Sequence, residues 1–391
     1  MISRRLLFLM ALTCALAVST IYYHQPLLPQ MAAAFGLEPV HGSIIATLTQ
    51  LGYAAGLLLL VPLGDRTQPC KLTSLAIGAN AVALLACAIA PSFALLLVCS
   101  FVVGFTAVTA QIIIPAVSGQ VSPEMRGRVA GWLLGGLSSG LLLARTLSGF
   151  AGAHLGWRAV FVLAAALDLV LLVIVLRHLP RSVGLTALRY RDLLRSLGAL
   201  VREERLLRFS AATGFLMFAA FSALWSSLAL LLAAPPYGFG PAAIGAFGLV
   251  ALGGIALSPQ IGALVDRAGA GGMVLVGALT LAAAFLFIAA SGRSLAWLVA
   301  GMLLLDLGNR IGLVANQTRI YALRTEARSR LNTVFMVTFF LGGAAGAALG
   351  GYGAHHGGWP GLAVVGAALA LAAAATNVMA YRGWPIRWRS S

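Results

Sequence analysis

The chain has 391 residues, of which 60% are hydrophobic and only 9% are charged, against about 25% charged residues in a typical soluble domain. A soluble fold of this length cannot bury so much apolar surface, so the composition excludes a soluble enzyme, a nucleic-acid-binding domain and a disordered chain. The net charge of +16 indicates loops beside an anionic lipid leaflet, with no nucleic-acid partner.

Twelve apolar runs follow one another along the chain, and each is long enough for a helix at about 20 residues per crossing. Helices are the spanning structure to expect, because backbone groups in lipid must be hydrogen-bonded within the segment. The first run has the outline of a secretory signal, but it continues past the cleavage site, so we interpret it as a span. The runs cover residues 6–34, 43–63, 72–90, 92–119, 129–153, 158–177, 207–233, 241–264, 272–291, 294–318, 331–353 and 359–381.

The basic residues set the orientation of these runs. Of the 26 Lys and Arg residues, 22 (Arg319 among them) fall on one side, two on the other, and Arg145 and Arg310 lie inside spans. The positive-inside rule therefore predicts that both termini are cytoplasmic, which agrees with an even number of spans.

The longest polar stretch, residues 179–206, separates the sixth run from the seventh. Its leucines alternate with arginines in a pattern typical of an amphipathic helix on the inner leaflet. We therefore predict a six-helix bundle over residues 1–178, a cytoplasmic linker over 179–206, and a second six-helix bundle over 207–391.

Three short motifs recur at a spacing of 201 or 202 residues. Asp65-Arg66 recurs as Asp266-Arg267, 201 positions later, and Arg126-Gly-Arg128 recurs as Arg328-Ser-Arg330, 202 positions later. Gly156-Trp157 recurs as Gly358-Trp359, also 202 positions later. Each copy falls at the same place in its half: after the second run, before the fifth and before the sixth. Because six spans per half is an even number, the two halves share one orientation, with a substrate site expected between them. A duplication that preserved no pore is the alternative.

These features resemble the major facilitator superfamily over nearly the whole chain. The resemblance is carried by the loop around Asp65-Arg66, its copy from Gly262 to Gly269, and the first-span stretch from Tyr22 to Pro29. The similarity is to the bacterial twelve-span branch that includes drug:proton antiporters and sugar-efflux-like permeases. It implies an all-α integral membrane fold of twelve transmembrane helices in two parallel-oriented repeats, working by alternating access.

The resemblance further implies that the Asp-Arg loops brace a cytoplasmic gate. Asp65 is expected to meet the start of the eleventh span, and Asp266 the start of the fifth. A plain cluster of topological charges is the alternative. The stretch from Thr67 to Lys71 departs from the family pattern, which predicts a weaker first gate. The predicted gate residues are Asp65, Arg66, Arg126, Arg128, Asp266, Arg267, Arg328 and Arg330.

Four ionisable residues lie inside spans, where each costs at least about 2.5–3.5 kcal/mol at mid-bilayer. Asp306 and Arg310 are spaced i, i+4 in the tenth span, so they share a helix face and can pair. One interpretation is that the pair lines the transport pathway and that Asp306 exchanges a proton or binds a cationic substrate group. The other is a permanent salt bridge that fixes packing.

Arg145 in the fifth span and Asp168 in the sixth flank one short outer turn. Their depths differ by about four residues, or ~6 Å of helix, which an arginine side chain can bridge. A buried pair between the two spans and an Arg145 contact with substrate are both open. For Asp168 alone the interpretation is structural, because the sixth span is peripheral in the family.

Other polar and aromatic residues fall in spans that line the cavity by analogy. A mainly apolar cavity with a few polar groups suits a small molecule, although each residue by itself can equally serve helix packing. The predicted substrate contacts are Tyr23, Gln25, Gln50, Gln111, Arg145, Asp306, Arg310, Gln317 and Phe340. The cysteines and histidines have no metal-ligand spacing, so no metal or cofactor is expected.

Small-xxx-small glycine patterns in the fifth and eleventh spans predict close helix contacts. The glycines are Gly131, Gly135, Gly136 and Gly140, and Gly342, Gly343, Gly346 and Gly350. The Gly-Pro step that marks antiporters of the family is missing from the fifth span.

The sequence favours a proton-coupled exporter of small, partly apolar molecules, a monomer in the bacterial inner membrane and not an enzyme. The alternatives are an uptake symporter or facilitator for a metabolite, or a membrane protein without transport activity. Proton coupling cannot be carried over from the arginine that many exporters of this branch have in the fourth span, because Ser100 stands there. Asp306 is therefore the predicted coupling group, with Arg310 as its partner.

Overall fold

The computed structural model describes residues 4–64, 66–179, 189–251, 258–324 and 327–381. Within those ranges the chain is built of helices and connecting turns, without a strand. The α-helices are α1 (Arg4–Ser19), α2 (Leu28–Ala33), α3 (Gly42–Leu59), α4 (Val61–Gly64), α5 (Pro69–Ile89), α6 (Phe93–Thr106), α7 (Thr109–Ser118), α8 (Pro123–Leu155), α9 (Trp157–His178), α10 (Tyr190–Glu203), α11 (Arg205–Ala233), α12 (Pro241–Ala246), α13 (Ser258–Ala268), α14 (Ala270–Ala289), α15 (Leu295–Tyr321) and α16 (Arg328–Tyr381).

Local sequence explains where several of these helices begin. Ser92 and Ser294 precede α6 and α15, and each side chain accepts a hydrogen bond from a backbone N–H of the first turn. Pro69 and Pro123 stand at the first positions of α5 and α8, where the missing N–H costs nothing and the fixed φ suits a helix. The all-helical prediction is confirmed for the described residues.

Nine helical segments in the described part of the chain are long and apolar enough to cross a membrane. The first predicted span is not one continuous helix, since α1 ends at Ser19 and turns lead through Pro26 into α2. The eighth begins as the short α12 and passes into a 3-10 turn that ends at Ala251. Pro26 stands in the first turn of the 3-10 helix Gln25–Leu27, where its missing N–H breaks no helical hydrogen bond.

The eleventh and twelfth runs form α16, and Gly358 divides them with φ 56° and ψ −140°, outside the helical region. The matching turn between α8 and α9 has Gly156 at φ 82°. Residues with a Cβ rarely adopt positive φ, so both copies of the Gly-Trp motif place glycine where the backbone requires it. This agreement supports the internal repeat that the sequence predicts.

Glycines of α8 and α16 permit close contact with other helices. A Cβ at Gly140 would overlap the carbonyl oxygen of Ala15 in α1, and a Cβ at Gly346 would overlap that of Ala219 in α11. Only a residue without a side chain permits such an approach. Three further glycines also lie against a backbone, namely Gly136, Gly342 and Gly350, whereas Gly131 and Gly135 face open space.

The helices group into two compact units. The first unit consists of Met1–Leu194 with Trp225–Leu252, and the second consists of Arg195–Leu224 with Gly253–Ser391. The core of the first includes Met10 of α1, Leu133 of α8 and Leu171 of α9, each at most 1% exposed. Residues Trp225–Leu252 follow the predicted linker in sequence, yet they pack with the first unit, because α12 lies against α8.

Part of the predicted linker forms α10, while residues 180–188 lie outside the described range. Leu193, Leu197 and Leu200 of α10 are buried, whereas the arginines of this helix, Arg191, Arg195 and Arg202, are exposed. A helix with leucines on one face and arginines on the other has the amphipathic pattern that the sequence predicts.

Candidate functional site

A buried arginine is the centre of a cluster in the first unit. Arg145 of α8 is 6% exposed, and its Cζ lies 3.9 Å from the ring centre of Trp225 and 4.7 Å from that of Tyr22. Its Nε donates a hydrogen bond of 2.5 Å to Oε1 of Gln25. The side chain is therefore held by an amide oxygen and two aromatic faces, which attract a cation through the ring quadrupole.

The predicted substrate residues of the first unit lie close to buried polar groups. Tyr23 is buried and makes a side-chain hydrogen bond with Ser19. Gln50 is buried in α3, and Gln111 of α7 is hydrogen-bonded to Tyr53. The hydrogen bond from Arg145 to Gln25 joins two residues of the predicted set.

Asp168 does not form the ion pair with Arg145 that was one interpretation of the sequence. Arg145 contacts Gln25, Tyr22 and Trp225. Oδ2 of Asp168 is buried without a hydrogen-bond partner among the described residues. Sequence spacing gives the depth of each residue but not the direction in which its side chain leaves the helix, which is why both interpretations were open.

The second unit contains the ion pair predicted in α15. Nε of Arg310 lies 2.7 Å from Oδ2 of Asp306, and the two side chains are 22% and 8% exposed. This geometry confirms the predicted i, i+4 contact and is the short, charge-assisted kind of hydrogen bond. The negative charge of Asp306 can be compensated by Arg310 on the same helix or removed by binding a proton. A proton-coupling group requires these two alternatives.

Two more predicted residues lie in the second unit. Nε2 of Gln317 in α15 donates to Oδ1 of Asn332 in α16 over 3.2 Å. Phe340 of α16 packs edge-on against Phe218 of α11, with 5.2 Å between ring centres. Gln317 thus takes part in a hydrogen bond between helices, and Phe340 belongs to an aromatic cluster.

Arg319, which the sequence analysis counts among the cytoplasmic charges, is buried in the last turn of α15. It is 6% exposed; its Nε donates to Ser210 over 2.9 Å and its Nη1 to Asn377 over 2.8 Å. These bonds join α15 to α11 and α16. Arg319 follows Gly312 and Asn316 on the buried face of α15, and this 3.6-residue periodicity was the available signal.

The predicted gate residues that the structure describes lie at helix ends and turns. Asp65 falls outside the described residues. Arg330 is partly buried and lines a cavity of about 210 Å³ together with Glu203 and Arg324. The remaining six are exposed, namely Arg66, Arg126, Arg128, Asp266, Arg267 and Arg328.

A set of partly exposed charges joins the end of α10 to the turn after α15 in the second unit. Arg324 lies 2.7 Å from a carboxylate oxygen of Glu204 and 3.0 Å from one of Glu203. The hydrogen bond to Glu204 raises the pKa of the Arg324 guanidinium. Ion pairs that solvent reaches contribute little to stability, so this contact fixes the end of α10 more than it stabilises the fold.

A second cavity, of about 540 Å³, lies between α11 and α16, and neither cavity is lined by the predicted substrate residues.

The contacts of Arg145 with Gln25, Tyr22 and Trp225, here called the arginine clamp, predict a loss of stability when the side chain is removed. Arg145→Ala removes two cation–aromatic contacts and leaves Gln25 without its donor, so we expect the free energy of unfolding to fall by about 2 kcal/mol. Arg158→Ala is the matched control, because Arg158 also lies over a tryptophan ring, that of Trp157, yet is exposed. The melting temperatures of the two purified variants are compared with that of the unchanged chain, and equal losses would contradict a clamp that depends on burial.

Comparison with known proteins identifies the family of this helical architecture. Residues 7–308 and 210–385 match the family model described as Major Facilitator Superfamily. The chain belongs to the major facilitator superfamily. It is a multi-pass membrane transporter of this family, as the named relatives are transporters.

Two bacterial superfamily relatives align over almost the full length. The chain is 38% identical to "Uncharacterized transporter YgaY" of Escherichia coli O157:H7 over 374 residues, which cover 95% of this chain and 94% of the relative. It is 36% identical to "Probable transporter SCO4007" of Streptomyces coelicolor over 393 residues, covering 96% and 88%. Among solved structures, the nucleoside transporter NupG superposes with a TM-score of 0.78 at 14% identity, covering 96% of this chain and 100% of NupG. At that identity the likeness to NupG concerns the fold alone.

Proposed function

We propose that this superfamily member is a secondary active transporter that exports small, partly apolar molecules in exchange for protons. The observation that carries the proposal is the Asp306–Arg310 ion pair near the middle of α15. A carboxylate that is charged beside an arginine and neutral when protonated can couple proton movement to a change of helix contacts. Intramembrane ionisable residues with a named partner are the usual marks of ion pathways.

In this proposal the chain crosses the bacterial inner membrane twelve times and both termini are cytoplasmic. Nine apolar segments among the described residues are long enough to cross. In the proposal, α1 with α2 forms one further crossing and α12 with α13 another, and the division of α16 at Gly358 turns its one segment into two, which makes twelve. We further propose bundles over residues 1–178 and 207–391, the linker over 179–206, and a monomer as the working unit. The bacterial source of the relatives supports the inner membrane.

The substrate contacts in this proposal come from the residues already described. Arg145, with Gln25 beside it, provides a fixed cation next to aromatic surface, while Asp306 and Arg310 provide the charges that protons modulate. The remaining contacts are Tyr23, Gln50, Gln111, Gln317 and Phe340, and the gate consists of Asp65, Arg66, Arg126, Arg128, Asp266, Arg267, Arg328 and Arg330.

The direction of transport is tested with inside-out membrane vesicles from cells that produce the chain. The vesicle interior is acidified by respiration, and a panel of fluorescent, partly apolar small molecules of differing charge is added outside. An exporter accumulates at least one probe, and a protonophore abolishes the accumulation. Vesicles without the chain are the control. Accumulation in right-side-out vesicles instead would contradict export and favour the uptake symporter, and probe equilibration that ignores the proton gradient would favour a facilitator.

A further inference from the structure

Asp168 occupies the middle of a buried helix face in the first unit. It is 2% exposed and stands 11 residues after Trp157, about 16 Å along the 22-residue helix α9 at 1.5 Å per residue. The neighbouring buried positions on α9 are apolar, including Phe161, Ala164 and Leu171. A titratable carboxyl group therefore lies at mid-depth inside the unit, away from either end of its helix.

No basic group pairs with this carboxyl among the residues that the structure describes. Helices α1, α5 and α8 pack against α9, and Oδ2 of Asp168 is buried there without a hydrogen-bond partner. The phenol of Tyr23 interacts with it electrostatically, but its hydrogen bond is made with Ser19. The sequences of these three helices contain the following ionisable residues: Arg4, Arg5, Cys14, Cys70, Lys71, Cys87, Glu124, Arg126, Arg128, Arg145 and His154.

An ionised carboxylate in this place would be costly. Mid-bilayer Asp costs at least about 2.5–3.5 kcal/mol on insertion scales, and an unpaired buried ion costs several kcal/mol. A carboxylic acid that has bound a proton carries no net charge and escapes most of this cost. Asp306 differs, because Arg310 at 2.7 Å stabilises its ionised form.

A metal cation does not suit this position. Hard cations take six or more oxygen ligands, and no group of three or more His, Cys, Asp or Glu side chains that could hold a metal occurs in the described ranges. A proton needs only one oxygen. The chemistry that matches a single buried carboxyl in apolar surroundings is therefore proton binding.

We infer that Asp168 is a second proton-binding site, separate from the Asp306–Arg310 pair, and that it holds a proton at neutral pH. Binding one proton turns the carboxylate into a neutral acid, and no other bond forms or breaks. The use of this proton in transport rests on the proposed function, whereas its presence on Asp168 does not.

The test is infrared spectroscopy of the purified full-length chain in lipid nanodiscs at pH 7. The chain has only 10 Asp and Glu residues, so the carbonyl-stretch region of protonated carboxyls is simple. We expect a band in the unchanged chain that is lost in Asp168→Asn and retained in Asp306→Asn. A band that survives in Asp168→Asn, or the absence of any band in the unchanged chain, would overturn the inference.

A second measurement keeps the test decisive if Asp168→Asn fails to fold. Asp306→Asn is prepared with carboxyl-¹³C aspartate and recorded at pH 7. The carbonyl band is expected to shift with the label, since the label is on aspartate. Among the described aspartates that remain in this variant, Asp192 and Asp266 are exposed, so the shifted band is assigned to Asp168. A band that ignores the label would exclude Asp168. Since neither spectrum measures flux, failure of this inference is distinguishable from failure of the proposed transport.

Discussion

Asp306→Asn is expected to lower proton-driven flux at least tenfold in the inside-out vesicle assay. An amide cannot bind and release a proton at neutral pH, so the coupling step is lost. The amide oxygen can still accept the hydrogen bond from Nε of Arg310, which in the native chain measures 2.7 Å. The variant should therefore keep its fold, and the loss should appear in transport and not in the amount of purified protein.

The control for this prediction is the same substitution at an exposed acid. Asp192 lies on α10 and is exposed, so Asp192→Asn should leave the flux within about twofold of the native value. A further comparison separates coupling from movement. Asp306→Asn should still permit exchange of labelled probe down its own gradient. Unchanged proton-driven flux in Asp306→Asn would remove this residue from the coupling mechanism.

Gly104→Val is expected to destabilise the first unit by at least about 3 kcal/mol and to leave little folded protein. A Cβ at Gly104 of α6 would overlap the carbonyl oxygen of Thr49 in α3, and a Cβ at Gly52 would overlap that of Phe101. The two helices therefore touch through their backbones. Overpacking of a tight contact usually costs about 1–3 kcal/mol, and here a rigid backbone oxygen blocks the first added carbon.

Gly78→Val provides the matched control, because a Cβ at Gly78 of α5 would have no atom within 4 Å. Valine and glycine differ little in helix propensity compared with the loss of stability expected for Gly104→Val. Gly78→Val should therefore be close to neutral. Both variants are followed by size-exclusion chromatography and by melting temperature in detergent. Similar melting of the two variants would contradict the close packing of α3 and α6.

The comparison of sequence with structure separates two kinds of information. Hydropathy alone predicts helices across the chain, because apolar runs of about 20 residues in lipid have no other way to satisfy their backbone groups. The i, i+4 spacing also predicts the Asp306–Arg310 contact, since both partners are on one helix. The repeat at Gly156 and Gly358 is visible in the sequence, and both glycines adopt positive φ.

Contacts between helices could not be predicted in the same way. The sequence allowed Arg145 to meet either Asp168 or a substrate, and the structure places it against Gln25, Tyr22 and Trp225. Of two neighbouring glycines on α8, Gly136 meets another backbone and Gly135 faces open space. Arg319 directly follows the tenth apolar run, and its burial against Ser210 and Asn377 likewise depends on contacts with other helices.

The sequence by itself determined that this protein is a helical membrane protein built from a repeated half, because hydropathy, charge asymmetry and glycine turns act locally along the chain. Only the tertiary structure decided which polar groups are paired. Helix rotation about its own axis fixes whether a side chain such as Asp168 faces a partner or an apolar neighbour. That rotation results from the packing of distant segments, which no local pattern encodes.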